Sequence, residues 1–505
     1  MMKKSVISQL FALAAMATFM ASCTKTPEYI NVIPADASAV VGIHIQSLID
    51  KSGVSDDDKQ KLIDAMKSGL NPATFQQVEK ILKDGSESGL SVKDPVYFFA
   101  GGRLPSAAVV MKMDDMDKFG KALEVMLPEV SDYPVTEADG YRLFRIGESV
   151  CAFNESALLI IAVNHDDSIV SGLMKQSGDE SIAGSAYFRN MSGKKGDITF
   201  FFTPDALPDM YKRRMSAMSG LEHVNLGDIA IIGSLGFEKG KIALQVETAS
   251  ENKEAGELFK KQNELYGKLN NTFLARFPAS TLAYSSLNVD GEKLYGMLQE
   301  YKDFREILSP DKAKEIFGAF KGDISVGLTR VTSDYLPIFA AYAEAASGAA
   351  LSALYESKAG LGLGRWEEIV RLGEDQYVYK SFLTNIYFGY KDNYIYATND
   401  KSIRENPGKE EDKSLKDAIY APNINGKSQY AAIDIKAILN LPVVKMLAAF
   451  GGREVAAYMK IASKLSYIEV TGEGNNRANI NIRLADEETH SLKQIVDLVK
   501  QYTGL

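Results

Sequence analysis

The chain resembles itself at a spacing of about half its length, and this constrains its fold more than any local pattern. Pro34-Ala35 returns as Pro278-Ala279, Ala39 matches Ala283, and Asn288 stands where His44 stood. Pro105, opening a strand-like run, returns as Pro337, and Asp166-Asp167-Ser168-Ile169 returns as Asp400-Lys401-Ser402-Ile403. Tyr187, Asn190, Gly193 and Lys194 match Tyr420, Asn423, Gly426 and Lys427 in one register, and Gly236 matches Gly472. The offsets are 244, 232, 234, 233 and 236, in the same order along the chain. Ordered matches at a nearly constant offset mark a repeated unit. The sequence therefore predicts a tandem duplication, with one repeat over 32–270 and a second over 271–505. Each repeat is expected to end in a hairpin, at 229–248 and 465–484, followed by a terminal helix.

Within each repeat the periodicity alternates between two kinds. Val41, Ile43 and Ile45 fall on one side of an extended run, as a half-buried strand requires, with His44 on the opposite face. Helices are predicted over 56–70, 72–83 and 115–126, the first with Ser55 as N-cap and Asp56, Asp57 and Asp58 in its first turn. Strands are predicted over 95–100 and 107–113, and a meander over 141–146, 148–153 and 158–163, broken at Gly147 and Asn154-Glu155. Short antiparallel strands interspersed with helices define an α+β class, here two similar halves, each a mainly antiparallel sheet with packed helices. The repeats differ most over 336–366, where a strand runs into an Ala-rich helix and Trp366, the only tryptophan, follows beside Arg365, Glu367 and Glu368. Polar residues 406–416 read as a surface loop.

The first 22 residues are a targeting segment. Lys3 and Lys4 precede the apolar run Leu10 to Phe19, and Met20-Ala21-Ser22 leads into Cys23. A positive start, a short apolar core and small residues before a cleavage point form a secretory signal. The cysteine makes it a lipoprotein signal, with Cys23 as the acylated residue. Residues 23–31 then form a tether that reaches roughly 30 Å at 3.3–3.6 Å per extended residue. Thr24 follows the cysteine in place of an inner-membrane retention Asp, and Glu28 is the only acid in the tether, so a periplasm-facing outer-membrane location is expected. With this signal, Tyr29, the run IPADASAVVGIHI and Leu48 to Gly53, the first 55 or so residues resemble an uncharacterised lipoprotein family of Bacteroidetes-type bacteria, the domain of unknown function DUF4836. That resemblance implies an envelope lipoprotein and brings with it no activity, ligand or catalytic residue.

Composition narrows the remaining classes. Net charge is −9, and loss of Lys3 and Lys4 with the signal makes the mature chain two units more negative, which argues against nucleic acid. The chain has 2 cysteines. Acylation of Cys23 leaves Cys151 without a disulfide partner, and its strand-like surroundings predict a small buried hydrophobe.

Every catalytic or cofactor pattern tested fails. Gly426-Lys427-Ser428 ends like a phosphate loop, but Ala421 stands where the loop needs glycine. Ser192-Gly193-Lys194-Lys195 falls in a repeated turn, and Gly85-Ser86-Glu87-Ser88-Gly89 has Glu where a nucleophile elbow needs its serine. His44, His165, His223 and His490 are too scattered for metal-ligand spacing, so no metal or other cofactor is expected. Two weak ligand-binding candidates remain. Met210, Met215 and Met218 share a predicted helix with Lys212, Arg213 and Arg214, a set that suits an acyl chain and its phosphate, although methionines packed inward explain it more simply. Trp366 is the other, with packing between the halves as the simpler reading.

The expectation is a non-enzymatic outer-membrane lipoprotein that binds a partner protein or envelope component. The alternatives are a carrier or sensor of lipid or another hydrophobic ligand, and a hydrolase whose site is assembled from distant residues. Cys23→Ala should abolish metabolic labelling with a fatty acid, and labelling that persisted would refute the anchor.

Overall fold

A computed structural model describes residues 27–67, 69–130, 134–162, 167–212, 224–299, 309–474 and 476–503. Cys23 and the signal lie outside these residues. The strands are β1 (Ala39–Ile43), β2 (Val96–Ala100), β3 (Ala108–Lys112), β4 (Thr136–Ala138), β5 (Tyr141–Ile146), β6 (Ser149–Phe153), β7 (Ala157–Ala162), β8 (Ile198–Phe202), β9 (Ile229–Glu238) and β10 (Lys241–Ser250). They continue as β11 (Ala283–Asp290), β12 (Phe320–Val331), β13 (Pro337–Ala345), β14 (Glu368–Gly373), β15 (Gln376–Lys380), β16 (Asn385–Lys391), β17 (Tyr394–Thr398), β18 (Gln429–Asp434), β19 (Leu465–Gly474) and β20 (Arg477–Leu484). The strand pairs from β2 to β20 are antiparallel, which with the helices makes the class α+β. The chain divides into two compact units, residues 1–40 with 66–189 and residues 41–65 with 190–505.

In the first unit the strands run β2–β3–β7–β6–β5–β4. The meander follows the expected positions closely, because its turns are set by local chemistry. Gly147 (φ 57°) supplies the left-handed backbone between β5 and β6, and Asn154 accepts the Ser156 and Ala157 N–H groups at 2.9 Å before β7. The helix Met116–Val130 covers a core of Met113, Phe119, Phe144, Cys151, Phe153 and Leu158, with the Phe119 and Phe153 rings 5.0 Å apart. A second aromatic group joins Tyr29, Tyr97 and Phe188, and the Tyr29 hydroxyl donates to the Pro95 carbonyl at 3.0 Å. The 3₁₀ turn Glu28–Val32 is packed against this unit, with Tyr29 and Ile30 as buried apolar anchors.

In the second unit the order is β8–β9–β10–β20–β19–β18–β11–β12–β13–β17–β16–β15–β14. Asp392 (φ 48°) and Asn393 (φ 65°) turn β16 into β17, the two left-handed residues that a tight hairpin needs. The core is rich in aromatics: Phe273, Phe277, Tyr284, Tyr342, Tyr394, Tyr420, Tyr430 and Tyr467 are all buried, and the Arg276 guanidinium lies 3.8 Å from the centre of the Tyr394 ring. Two expectations, for His44 and Trp366, are corrected in this unit. His44 is not a strand residue: β1 ends at Ile43, and the His44 carbonyl already accepts the Leu48 N–H, so the residue starts the helix Ile45–Ser52. Residues 406–416 form the expected surface loop, tied down where Glu411, Lys413 and Leu415 exchange backbone hydrogen bonds with Ala275, Ala279 and Phe277 and where Leu415 is buried. Trp366 is not packed; it is 74 % exposed.

One order of elements occurs twice along the chain. A 3₁₀ turn (Glu28–Val32; Leu274–Arg276) leads to a strand (β1; β11) and a helix (Ile45–Ser52; Gly291–Leu298). A further helix (Pro72–Lys83, which follows Asp56–Met66; Pro310–Gly318) precedes two strands (β2, β3; β12, β13), another helix (Met116–Val130; Ala349–Glu356) and a four-strand meander (β4–β7; β14–β17). A short helix (Asp167–Lys175; Lys401–Glu405), a strand (β8; β18), a hairpin (β9–β10; β19–β20) and a last helix (Lys253–Glu264; Ser491–Thr503) complete it. Pairing follows the same rule, since β3 joins β7 as β13 joins β17.

The helix Ile45–Ser52 is tied to its sheet by charge. Ser47 and Lys51, one turn apart and on one helix face, both donate to the Asp197 carboxylate, at 2.5 and 2.7 Å, and the Phe237 N–H adds a bond at 2.6 Å. Burial pushes the Asp197 carboxyl up, but the bonds from Lys51, Phe237 and Ser47 outweigh it and hold it below its ordinary value of 3.8. Lys51→Met strands that carboxylate and should destabilise the protein by about 3 kcal/mol at neutral pH. Asp197 is held low, so its stabilisation is full above its unfolded value and is lost as pH falls through the folded one; the difference between wild type and variant in urea unfolding should shrink there. Cys151 gives an independent check of the first unit. Burial pushes its thiol up to about 11, so in the mature chain lacking Cys23 it should resist alkylation at pH 8 until denaturant is added.

Candidate functional site

Strand alternation builds a polar surface in the second unit. On β10, Ile242, Leu244 and Val246 alternate with Lys241, Ala243, Gln245 and Glu247; on β20, Ala478, Ile480 and Ile482 alternate with Arg477, Asn479, Asn481 and Arg483. Successive side chains point to opposite faces, so each strand has one polar face. The β10–β20 register sets Gln245 opposite Asn479, Ala243 opposite Asn481 and Glu247 opposite Arg477. Ser234 of β9 lies opposite Gln245, and Thr471 of β19 lies opposite Asn479. The result is a row across four strands, Ser234–Gln245–Asn479–Thr471, of uncharged groups, in which Ser234 and Thr471 are buried while Gln245 is exposed and Asn479 half-buried. Two adjoining depressions of about 520 and 410 Å³ lie over this face and share Glu238, Ala243 and Gln245. Ser47, Lys51, Lys195 and Asp197 border one; Asn423, Asn425, Lys427 and Glu473 border the other.

Buried carboxylates hold this surface in place. Glu469, 1 % exposed, accepts from Tyr430 Oη (3.2 Å), Asn423 Nδ2 (2.9 Å), Asn481 Nδ2 (3.0 Å) and Arg483 Nη2 (3.2 Å). Burial and the adjacent Glu469 charge push the Tyr430 hydroxyl far above its ordinary range, which keeps it a neutral donor. Glu247 takes Asn190 Nδ2, Lys194 Nζ at 3.1 Å and Arg477 Nε at 2.8 Å. Burial raises the Glu247 carboxyl, and the bonds from Lys194 and Asn190 bring it below the ordinary range. Lys427 pairs with Glu473 and, as the largest cause, lowers that carboxyl too. Asn190 and Asn423, matched in the sequence, thus do the same work: each gives its amide to a buried glutamate of a hairpin.

This chemistry favours binding over proton transfer. A general acid or base works best with a pKa near the operating pH, and Asp197, Glu247 and Glu473 beside the row are held below the ordinary carboxylate range. Ser47 bonds the Asp197 carboxylate directly, whereas a hydrolytic triad places a histidine between serine and acid. Burial lowers His44, partly offset by Asp197, so the ring is neutral at pH 7. Among the described residues no group of three or more His, Cys, Asp or Glu is arranged to hold a metal ion.

The residues singled out from the sequence lie elsewhere. Met210 is 65 % exposed, contrary to the inward packing expected of it, and Lys212 pairs with Asp209 at 3.3 Å. Arg213, Arg214, Met215 and Met218 fall outside the described residues. Trp366 sits on a tight turn closed by the Gly364 N–H on the Glu367 carboxylate (2.8 Å), with the Arg365 guanidinium 5.4 Å from its ring. Neither Met210 nor Trp366 lines the polar surface. Gln245, Asn479, Asn481, Thr471 and Ser234 went unnoticed in the sequence. Their one signal was the stretch ANINIRL, where asparagine, a poor strand former, recurs with period two.

No curated protein matches the sequence. Among solved structures, crystal form IV of TP0453 is 11 % identical with a TM-score of 0.25, over 45 % of this chain and 82 % of that one. Crystal form III of TP0453 is 10 % identical with a TM-score of 0.26, over 48 % and 87 %. Likeness at this level carries no argument about fold or role. The profile of a domain of unknown function, DUF4836, in contrast, matches residues 29–492, nearly the whole folded body, and the chain belongs to that family.

Proposed function

We propose that this protein is a non-enzymatic, lipid-anchored protein of the outer membrane of a Bacteroidetes-type bacterium, a tandem duplication facing the periplasm, that binds an envelope component on its polar four-strand surface. The row Ser234–Gln245–Asn479–Thr471 carries the reading. The Gln245 and Asn479 amides, side by side on paired strands, suit a ligand that offers its own amides and hydroxyls, as the glycopeptide of a cell wall does. The ion-paired carboxylates around the row support a surface that stays in one protonation state while it binds. The duplication is supported by the recurring order of elements and by the shared role of Asn190 and Asn423. The anchor rests on the sequence around Cys23.

The test is calorimetric titration of residues 24–505 with soluble disaccharide-peptide fragments of cell wall. Binding should weaken by about tenfold in Gln245→Ala/Asn479→Ala, the loss of two neutral hydrogen bonds, with unfolding little changed because Gln245 is exposed and Asn479, half-buried, bonds only Thr471 at 3.4 Å and the exposed Glu473. Absence of binding, or binding indifferent to both substitutions, would overturn the reading.

A further inference from the structure

Between β18 and β19 the chain forms three helices, Ile435–Leu439, Pro442–Phe450 and Gly452–Ala462. None of the residues 435–464 is buried. The segment is nonetheless strongly apolar, and its large side chains face solvent: Phe450 is 85 % exposed, Tyr458 70 % and Leu447 58 %, with Met446 and Ile461 also exposed. Gly451 and Gly452 make the corner that puts Phe450 at a tip. A Cβ on Gly451 would lie 2.5 Å from Val455 Cβ, and Gly452 has φ +72°. The last helix braces the third, with Tyr502 Oη donating to the Ala457 carbonyl at 3.3 Å, and adds exposed Val499 and Tyr502.

Charge identifies what covers this surface. Within 435–464 the cations are Lys436, Lys445, Arg453, Lys460 and Lys464, against the single acid Glu454, in a chain whose net charge is −9. A basic, apolar segment on an acidic protein is complementary to an anionic surface with an apolar interior. The helices are too short to cross a bilayer, which needs about 20 residues. Short helices with exposed aromatic and aliphatic side chains among cations instead lie in the plane of the interface. The same place in the first round of elements, between β8 and β9, also exposes apolar side chains beside a cation: Met210, Tyr211 (54 % exposed) and Lys212.

We infer that the helical segment 435–464 is a docking surface for an anionic phospholipid bilayer, seating Leu447, Phe450 and Tyr458 among the acyl chains and its lysines among the headgroups. The inference depends neither on the polar groove nor on the lipid anchor.

It is tested with residues 24–505, which keep the whole described body and carry no lipid, by co-sedimentation with phosphatidylglycerol vesicles and with phosphatidylcholine vesicles. Binding is expected to phosphatidylglycerol and to be weakened by salt. Leu447→Ser/Phe450→Ser should lower it by more than about tenfold, and Lys445→Glu and Lys460→Glu by roughly fivefold each. Thermal unfolding should not change, since none of these side chains is buried. Emission from Phe450→Trp should shift to the blue on adding vesicles. No binding to phosphatidylglycerol, or binding unaffected by both sets of variants, overturns the proposal. So does self-association that Leu447→Ser/Phe450→Ser abolishes in sedimentation velocity without any vesicle binding, since a second copy would then be the occupant.

Discussion

The pairing of β10 with β20 is the contact on which the second unit depends. Each strand closes its own hairpin, and each alone would leave a row of backbone N–H and C=O groups at a sheet edge. Paired from Lys241–Arg483 to Glu247–Arg477, they satisfy one another and make β8 to β14 one ladder. An antiparallel register also decides which faces meet, because a slip of one residue would turn every side chain over. Here the polar face of one hairpin continues into the polar face of the other, and the four-strand row exists only because of that register.

Polar side chains on a largely buried sheet face are costly unless they are bonded. Glu247 takes Asn190 and Lys194 from the segment before β8, and Glu469 takes Asn423 from the turn before β18 and Arg483 from β20, which locks those segments against the hairpins. Removing one donor would leave a buried charge short of partners, so selection on stability acts at Asn190 and Asn423 whatever the protein binds. The exposed Gln245 stands apart. It lies exposed on the face, where its amide is open to the ligand proposed above.

Much of the fold was legible because local chemistry set it. Gly147 and Asn154 turned the meander where the sequence placed the breaks, Ser55 capped its helix with Asp58, and the two terminal hairpins fell over the expected residues. Asn190 and Asn423 were visible as a match because both make the same bond. Their acceptors were not, because Glu247 lies on the second strand of its hairpin and Glu469 on the first, so no constant offset relates them. The β10–β20 contact joins residues more than two hundred positions apart and leaves no local trace. Trp366 misled for a different reason: a large aromatic is usually packed, but a tight turn closed by Glu367 carries it outward.

The helices between β18 and β19 raise a question of energetics that the body alone does not answer. Ordering a residue costs about 1–2 kcal/mol of backbone entropy, and most surface helices recover it by burying an apolar stripe. This segment buries none of its side chains fully. It is held by Asp434, which caps Ile435–Leu439 through the Ala437 N–H, by Pro442 at the start of the next helix and by Tyr502 on Ala457. Those contacts fix where the helices begin and how they turn, yet they leave Phe450, Leu447 and Tyr458 in water, where each forfeits the gain of burial. A sequence that kept helix formers and caps but had no further use for apolar tips would carry polar residues at those positions. Their presence, with basic residues between them, places the missing burial outside the chain.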